Sequence, residues 1–372
     1  MRKIRRKERD GKKILIITNH SYMLYQFRRE LIQTLMKEHE VILCMPFVGH
    51  EEDFQNMGIR CIRVDVDRRG INPKTDLILF HTYKKLLKTE EPDMVITYSI
   101  KPNIYAGYAC RLMGIPYCVN VQGLGTAFQK EPTATIVSMM YKAALKNAKT
   151  VFFENADNAA EFVRRGVIPA SKEKVLKGAG VNLDVYRQQP YPDENEGIHF
   201  LFLGRIMKEK GVDELFAAAS RLKKKYGDRI IFDLVGFFED EYKETVERLD
   251  ADGVVKFHGC QTNPKPFYVN SHCVILPSYH EGMSNVLLEA AATGRALIAS
   301  DIPGGGADTV GEGVNGFLCR KKDAEDLERC VERFMRLSMR QRELMGKKGR
   351  RKMEREFDKA AVVGETVRAI GG

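Results

Sequence analysis

Short apolar runs recur along this chain at intervals filled by helical patterns, and that alternation limits its fold more than any other feature. KILIIT (13–18), VILCMP (41–46), IRCIRVDV (59–66), DMVITY (93–98), PYCVNV (116–121) and TVFFEN (150–155) have strand length and strand composition. Between them lie stretches with apolar residues at helical spacing, such as LYQFRRELIQTLMKE, DLILFHTYKKLLK and TIVSMMYKAALKNA. Apolar strands separated by helices indicate a parallel sheet covered on both faces. A polar segment with two prolines, YRQQPYPDENEG (186–197), interrupts the pattern and reads as a linker. The alternation then resumes with GIHFLFLG (197–204), RIIFDLVG (229–236), VVKFHG (254–259), HCVILP (272–277), RALIAS (295–300) and NGFLC (315–319). The expected class is α/β, with two doubly wound, Rossmann-like domains at 1–185 and 198–350 and a C-terminal helix, 351–372, crossing back to the first. In such folds ligands bind at the carboxyl ends of the strands, and a two-domain version puts the site in the cleft between.

Length and composition suit two domains: 372 residues, 44% apolar. No apolar run approaches the ~20 residues needed to span a bilayer. The N-terminal MRKIRRKERDGKKILIITN reads as a charged lead into a first strand rather than as a signal peptide. Eight cysteines form no CxxC and mostly sit in apolar runs, as reduced core residues of a cytosolic protein do. The net charge of +10 is concentrated in two places. The first thirteen residues hold eight Lys/Arg, a pattern suited to an anionic membrane surface, which attracts each basic residue by ~1 kcal/mol. The second concentration, RFMRLSMRQRELMGKKGRRKMERE, is equally compatible with an anionic partner and with a solvated helix face.

The stretch HEGMSNVLLE (280–289) follows the apolar VILP and places two carboxylates, Glu281 and Glu289, eight residues apart. Ser284 or Asn285 can cap the helix that follows, so the amides of Gly282, Met283, Ser284 and Asn285 would form an anion site suited to a diphosphate. Carboxylates flanking it suit hydroxyl-rich groups, a ribose and a sugar. On spacing alone, Glu281 as a capping-loop acid and Glu289 as a helix-surface residue fit equally well. A second stretch, LFLGRIMKEKGVDEL, puts Gly204 and Arg205 at a strand end and Lys210 at the opening of the next helix. A guanidinium fork and an ammonium both suit phosphate oxygens.

GRIMKEKG, HEGMSNVLLEA and ALIASDIPGGGADTVGEGVNGFLC together resemble the C-terminal half of the family 4 retaining nucleotide-sugar glycosyltransferases, which have the GT-B fold. The family's Glu-x7-Glu mark is matched by Glu281 and Glu289. LYQFRRELIQTL, TYSIKPNIYAGYACRLMGIPY and NVQGLGTAF are similar to bacterial enzymes that extend polyprenyl-diphosphate-linked saccharides. The resemblance implies a UDP-sugar donor, a polyprenyl-diphosphate-linked acceptor, retention of configuration and no metal or other cofactor. It implies that Arg205 and Lys210 hold the diphosphate, Glu289 the ribose, Glu281 the sugar near its reacting carbon, and the loop of Phe257 and His258 the base. It further implies an acceptor-binding first domain, a nucleotide-sugar-binding second domain, and a peripheral cytoplasmic enzyme on the inner face of the plasma membrane.

One departure is Val121-Gln122-Gly123, where many relatives carry His before Gly. Gln122 can touch a sugar but cannot act as an acid or base. On the acceptor side, Lys101 and Asn103 follow a strand end and could meet a diphosphate, with Arg28 near the first strand's loop. DLILFHTYKKLLK and TIVSMMYKAALKNAK mix apolar and basic residues, which suits a membrane face and a core-packing face alike. Val64-Asp65-Val66-Asp67 reads as an acidic turn rather than a metal site, and no close His pair or HExxH appears. Two rival readings are a UDP-N-acetylglucosamine 2-epimerase-like enzyme of the same fold, which lacks this motif combination, and a basic nucleic-acid-binding protein. The latter rests on charge alone, without an aromatic stacking surface.

Overall fold

The computed structural model describes residues 11–67, 72–125, 128 and 131–371. The basic run at 2–9, assigned above to a membrane surface, lies outside the described residues. The chain divides into two compact units, Met1–Ala179 with Val362–Gly372, and Gly180–Ala361.

The first unit runs β1 (Lys13–Ile17), α1 (Ser21–Leu35), β2 (Glu40–Met45), α2 (Glu51–Asn56), β3 (Arg60–Arg63), α3 (Pro73–Glu90), β4 (Met94–Tyr98), α4 (Ile100–Met113), β5 (Tyr117–Val121), α5 (Thr133–Leu145), β6 (Thr150–Phe153), α6 (Ala156–Arg164) and β7 (Glu173–Val175). All neighbours pair in parallel, in the order β3-β2-β1-β4-β5-β6-β7. Every residue of β4 and β5 is buried, which is why these strands read as largely apolar runs, interrupted by Thr97 and Asn120. Leu79, Tyr83, Ile104, Val137 and Phe162 seal one face from α3 to α6, while Leu24, Ile32, Phe54 and the C-terminal Val363 seal the other. β7 escaped the sequence reading because its three residues, Glu-Lys-Val, are not buried and carry no apolar run.

The second unit runs β8 (Ile198–Leu203), α7 (Val212–Tyr226), β9 (Ile230–Val235), α8 (Lys243–Ala251), β10 (Lys256–Phe257), α9 (Lys265–Asn270), β11 (Cys273–Leu276), α10 (Asn285–Ala292), β12 (Ala296–Ser300), α11 (Gly306–Thr309), β13 (Gly316–Cys319), α12 (Ala324–Met335) and α13 (Met339–Glu356), and α14 (Lys359–Gly371) starts in it and passes to the first unit at Val362. Its sheet is again parallel, in the order β10-β9-β8-β11-β12-β13. In both sheets the chain works outward to one side of its first strand and then to the other. The order therefore reverses between β1 and β4, and between β8 and β11, and such reversals are where doubly wound sheets take ligands.

The boundaries differ from those expected. Residues 186–197 are not a free linker but part of the second unit. Arg295, fully buried, donates to the carbonyls of Pro190 (2.8 Å), Tyr268 (2.8 Å) and Val269 (2.9 Å). His272 bonds the carbonyl of Asp193 at 2.9 Å, and Arg342 pairs with Glu194 at 2.6 Å. A polar stretch is thus ordered by two buried arginines and a buried histidine that bond to it, beside the burial of its own Tyr186 in the core of the second unit. The return to the first unit comes at Val362, not at 351, because α13 stays on the second unit, where Lys352 donates to the Asp308 carbonyl (2.7 Å) and Arg350 to that of Ala292 (3.0 Å). The basic run at 333–356 is two helices broken at Arg336–Ser338, where Ser338 and Gln341 form a capping box.

Gly211, the residue before α7, has φ +71°, and a Cβ there would stand 2.0 Å from the carbonyl oxygen of Pro277. Gly253 has a similar φ, +67°, with open space around it. Gly253→Ala should cost about 1–2 kcal/mol of left-handed strain. Gly211→Ala must also push two strand-end loops apart, so its urea midpoint should fall clearly further; equal falls would refute the close approach.

Candidate active site

The two loops at the reversal of the second sheet are the ones the sequence singles out. The first leaves β8 through Gly204 and Arg205, makes a tight turn at Lys208–Lys210, and enters α7 at Gly211. The second leaves β11 at Pro277 and enters α10, where the Ser284 hydroxyl accepts from the Leu287 amide at 3.4 Å. The loops are stitched together by the Tyr279 amide donating to the Glu209 carbonyl (2.8 Å). Their side chains also meet: Lys210 Nζ lies 2.6 Å from Glu281 Oε1, with both side chains largely buried. Arg205 is half-exposed and stands 3.8 Å from Glu239. The sequence-predicted Arg205, Lys210 and Glu281 therefore lie at one reversal point, two of them in direct contact.

The amides divide differently from expectation. That of Ser284 is taken by the carbonyl of Gly304 (2.8 Å), so it does not join an anion cradle. Met283 is buried in the core of the second unit, while Gly282 and Asn285 keep partial exposure.

Glu289 is not the helix-surface residue its spacing also allowed. It is buried on α10, and its carboxylate accepts from Tyr268 Oη at 2.8 Å and from the Tyr186 hydroxyl. Burial raises its pKa; the two tyrosines and the charges of Lys359 and Lys265 work in the other direction, leaving it at about 7. None of these four neighbours was found from sequence. They come from α9, α14 and residue 186, and no local motif links them to α10. His258 follows β10, with Nε2 2.8 Å from Asp233 Oδ1, while Asp233 Oδ2 meets His199 Nδ1 at 2.7 Å. Burial opposes ionisation of Asp233, but the bonds and charges of the two histidines outweigh it and hold its pKa below the ordinary value. Phe257 packs on Phe238, with ring centroids 5.3 Å apart.

At the reversal of the first sheet, the residues expected to meet an acceptor are already engaged within the unit. Lys101 pairs with Asp76 at 2.7 Å, and Arg28 with Glu154 at 2.5 Å beneath the Tyr98 ring. Asn103 is fully buried and donates to the Asn120 carbonyl at 2.8 Å, tying α4 to β5. Gln122 and Gly123 follow β5 with partial exposure, and the Gln122 amide rests 3.3 Å from Met23 Sδ.

Two sealed parallel sheets, each with a reversal, and cation–carboxylate loops at the second reversal make a two-domain doubly wound architecture with a polar cluster where such sheets take ligands. The chain is a glycosyltransferase of the GT-B fold: the glycosyl transferase 4-like model matches residues 13–155 and the glycosyl transferases group 1 model residues 186–352. It is 27% identical over 323 residues to the N,N'-diacetylbacillosaminyl-diphospho-undecaprenol alpha-1,3-N-acetylgalactosaminyltransferase of Campylobacter jejuni, covering 82% of this chain and 84% of that one. It is 25% identical over 294 residues to the UDP-Gal:alpha-D-GlcNAc-diphosphoundecaprenol alpha-1,3-galactosyltransferase of Escherichia coli, covering 74% and 75%. The crystal structure of Anabaena HepE in complex with UDP superposes with a TM-score of 0.79 at 16% identity, over 96% of this chain and 99% of that one, a likeness of fold.

Because the folded pKa of Glu289 lies above its ordinary 4.5, the fold favours the protonated acid. The stability this gives is full below that ordinary value and is lost as pH rises through about 7. Glu289→Gln keeps the neutral shape at every pH. Its melting temperature should therefore fall less than wild type's between weakly acid and weakly alkaline buffer, by a few degrees. Parallel profiles would show that Glu289 is not the buried acid described.

Proposed function

We propose that this chain transfers a sugar, an N-acetylhexosamine or hexose, from a UDP-sugar to a polyprenyl-diphosphate-linked saccharide, with retention of configuration and without a metal. The observation that carries the reading is the contact of Lys210 with Glu281 at the reversal of the second sheet, with Arg205 on the same loop as Lys210 and Glu289 on the helix that starts there. The names of the Campylobacter and Escherichia relatives, both acting on undecaprenyl-diphosphate-linked sugars, support the acceptor class. The UDP in Anabaena HepE supports the nucleotide.

In this reading Lys210 and Arg205 neutralise the diphosphate as it departs, the role that preorganised cations fill where charge develops. Glu289 accepts hydrogen bonds from the ribose, and Glu281 positions the sugar at its reacting carbon. The loop of Phe257 and His258 borders the base, and the Gly282, Met283 and Asn285 amides lie toward the phosphates and sugar. The sugar–phosphate bond breaks with its electron pair leaving on UDP. The acceptor hydroxyl then bonds the same face of the sugar and gives its proton to the departing phosphate oxygen. Lys101 and Arg28 would reach an acceptor diphosphate by exchanging Asp76 and Glu154 for it. Such an enzyme works in the cytoplasm on the inner face of the plasma membrane, where its acceptor lipid resides.

UDP should raise the melting temperature by several degrees at saturating concentration and still do so in EDTA, as ~100-fold excess over the dissociation constant adds ~2.7 kcal/mol. Glu289→Ala should weaken this shift. Arg205→Ala and Glu281→Ala should each lower transfer by ~10²–10³-fold, with Glu281→Ala retaining the UDP shift. Loss of the UDP shift in EDTA would overturn the metal-free reading. Conversion of the UDP-sugar to its UDP-linked 2-epimer without any acceptor would favour the epimerase-like alternative. Full transfer activity in Glu281→Ala would remove Glu281 from the site.

A further inference from the structure

Helices α3, α4 and α5 pack side by side over one face of the first sheet. Each already buries one stripe against it: Leu79, Tyr83 and Leu87 in α3, and Val137, Tyr141 and Leu145 in α5. Helices seated in this way need no second apolar stripe. Yet six of the fourteen large apolar side chains exposed among the described residues lie on them: Leu77, Ile78, Tyr108, Leu112, Ile136 and Met139. Ile78 is 65% exposed and Met139 58%. The face is continuous. Phe80 and Tyr108 bring α3 and α4 together at 5.8 Å between rings, and Arg111 reaches from beside Tyr108 to the Ala143 carbonyl of α5.

Its charge has one sign. Lys84, Lys85, Lys88 and Lys142 are exposed on these helices. The two acids the helices contain are turned inward, Asp76 onto Lys101 and Glu90 onto Lys13 and Arg60. A broad surface that is apolar and cationic, with no carboxylate from its own helices, is complementary to an anionic bilayer. There the apolar side chains enter the headgroup boundary, and the lysines meet phosphates on extended stems. The choice of lysine argues against a protein partner, since protein interfaces are depleted in it.

We propose that the outer faces of α3, α4 and α5 form the seat by which this protein lies on an anionic membrane surface. The inference deepens the reading of a lipid-linked acceptor, but the binding it describes needs no turnover. Full-length protein should sediment with phosphatidylcholine vesicles containing phosphatidylglycerol and remain in solution with phosphatidylcholine alone. Replacing Leu77, Ile78, Ile136 and Met139 together by Ser, or Lys84, Lys85 and Lys88 by Glu, should each lower partitioning by at least about tenfold. The melting temperatures should hold, since these side chains are exposed. Partitioning unchanged by both replacements would overturn the proposal. So would loss of binding on deleting residues 2–9 while both replacement variants still bind, or a self-association abolished by the Ser variant in a wild type that ignores vesicles. Vesicle binding without transfer to any saccharide acceptor would leave this face standing and remove the functional reading instead.

Discussion

A parallel sheet covered by helices on both faces offers ligands nothing but its strand ends, and this constraint governs both halves of the molecule. With β4, β5, β11 and β12 buried throughout, polar chemistry is confined to the loops. Two adjacent loops diverge, leaving room for a ligand, at the point where strand order reverses. In the second unit that point falls between β8 and β11. The close approach of Gly211 to Pro277 and the Tyr279–Glu209 hydrogen bond keep the loops together, so the reach of Lys210 to Glu281 follows from backbone packing.

The cations at the two reversals share a condition. Lys210 is held by Glu281, Arg205 stands near Glu239, Lys101 is held by Asp76 and Arg28 by Glu154. A part-buried cation left alone would lose hydration without compensation, so a carboxylate keeps it in place. Under the proposed function, a phosphate arriving at such a pair would meet a positioned charge and trade one anion for another. Glu289 is the counterexample. Its partners are two tyrosine hydroxyls with lysines beyond them, and burial prevails.

Much of this was legible in the sequence, for identifiable reasons. Strands buried on both faces read as apolar runs, and β3 and β10, though partly exposed, lie within the runs IRCIRVDV and VVKFHG, so twelve of the thirteen strands among the described residues were readable; the charged, three-residue β7 was not. The placement of Arg205, Lys210 and Glu281 on strand-end loops was readable because loop–helix junctions are local. The environment of Glu289 was not, since Tyr186, Tyr268, Lys265 and Lys359 are brought to it by tertiary packing. Arg28, Lys101 and Asn103 have residue types suited to phosphate, but their partners Glu154, Asp76 and Asn120 are distant in sequence and invisible to any local rule. Residues 186–197 misled for the converse reason. Polarity and proline describe side chains, whereas this stretch is secured largely through its backbone carbonyls.

That arrangement bears on how the protein can be divided. Among the described residues no carboxylate pairs with the guanidinium of Arg295; its charge is balanced by a collar of carbonyl dipoles, one of them from Pro190. A second half excised at 198, where the strands resume, would lose Pro190, the Asp193 carbonyl of His272 and the Glu194 partner of Arg342 at one stroke. It would expose two formerly enclosed arginines beside an apolar core. Excision at 180 keeps the collar, so the sequence with the least apparent structure decides whether the second unit stands alone.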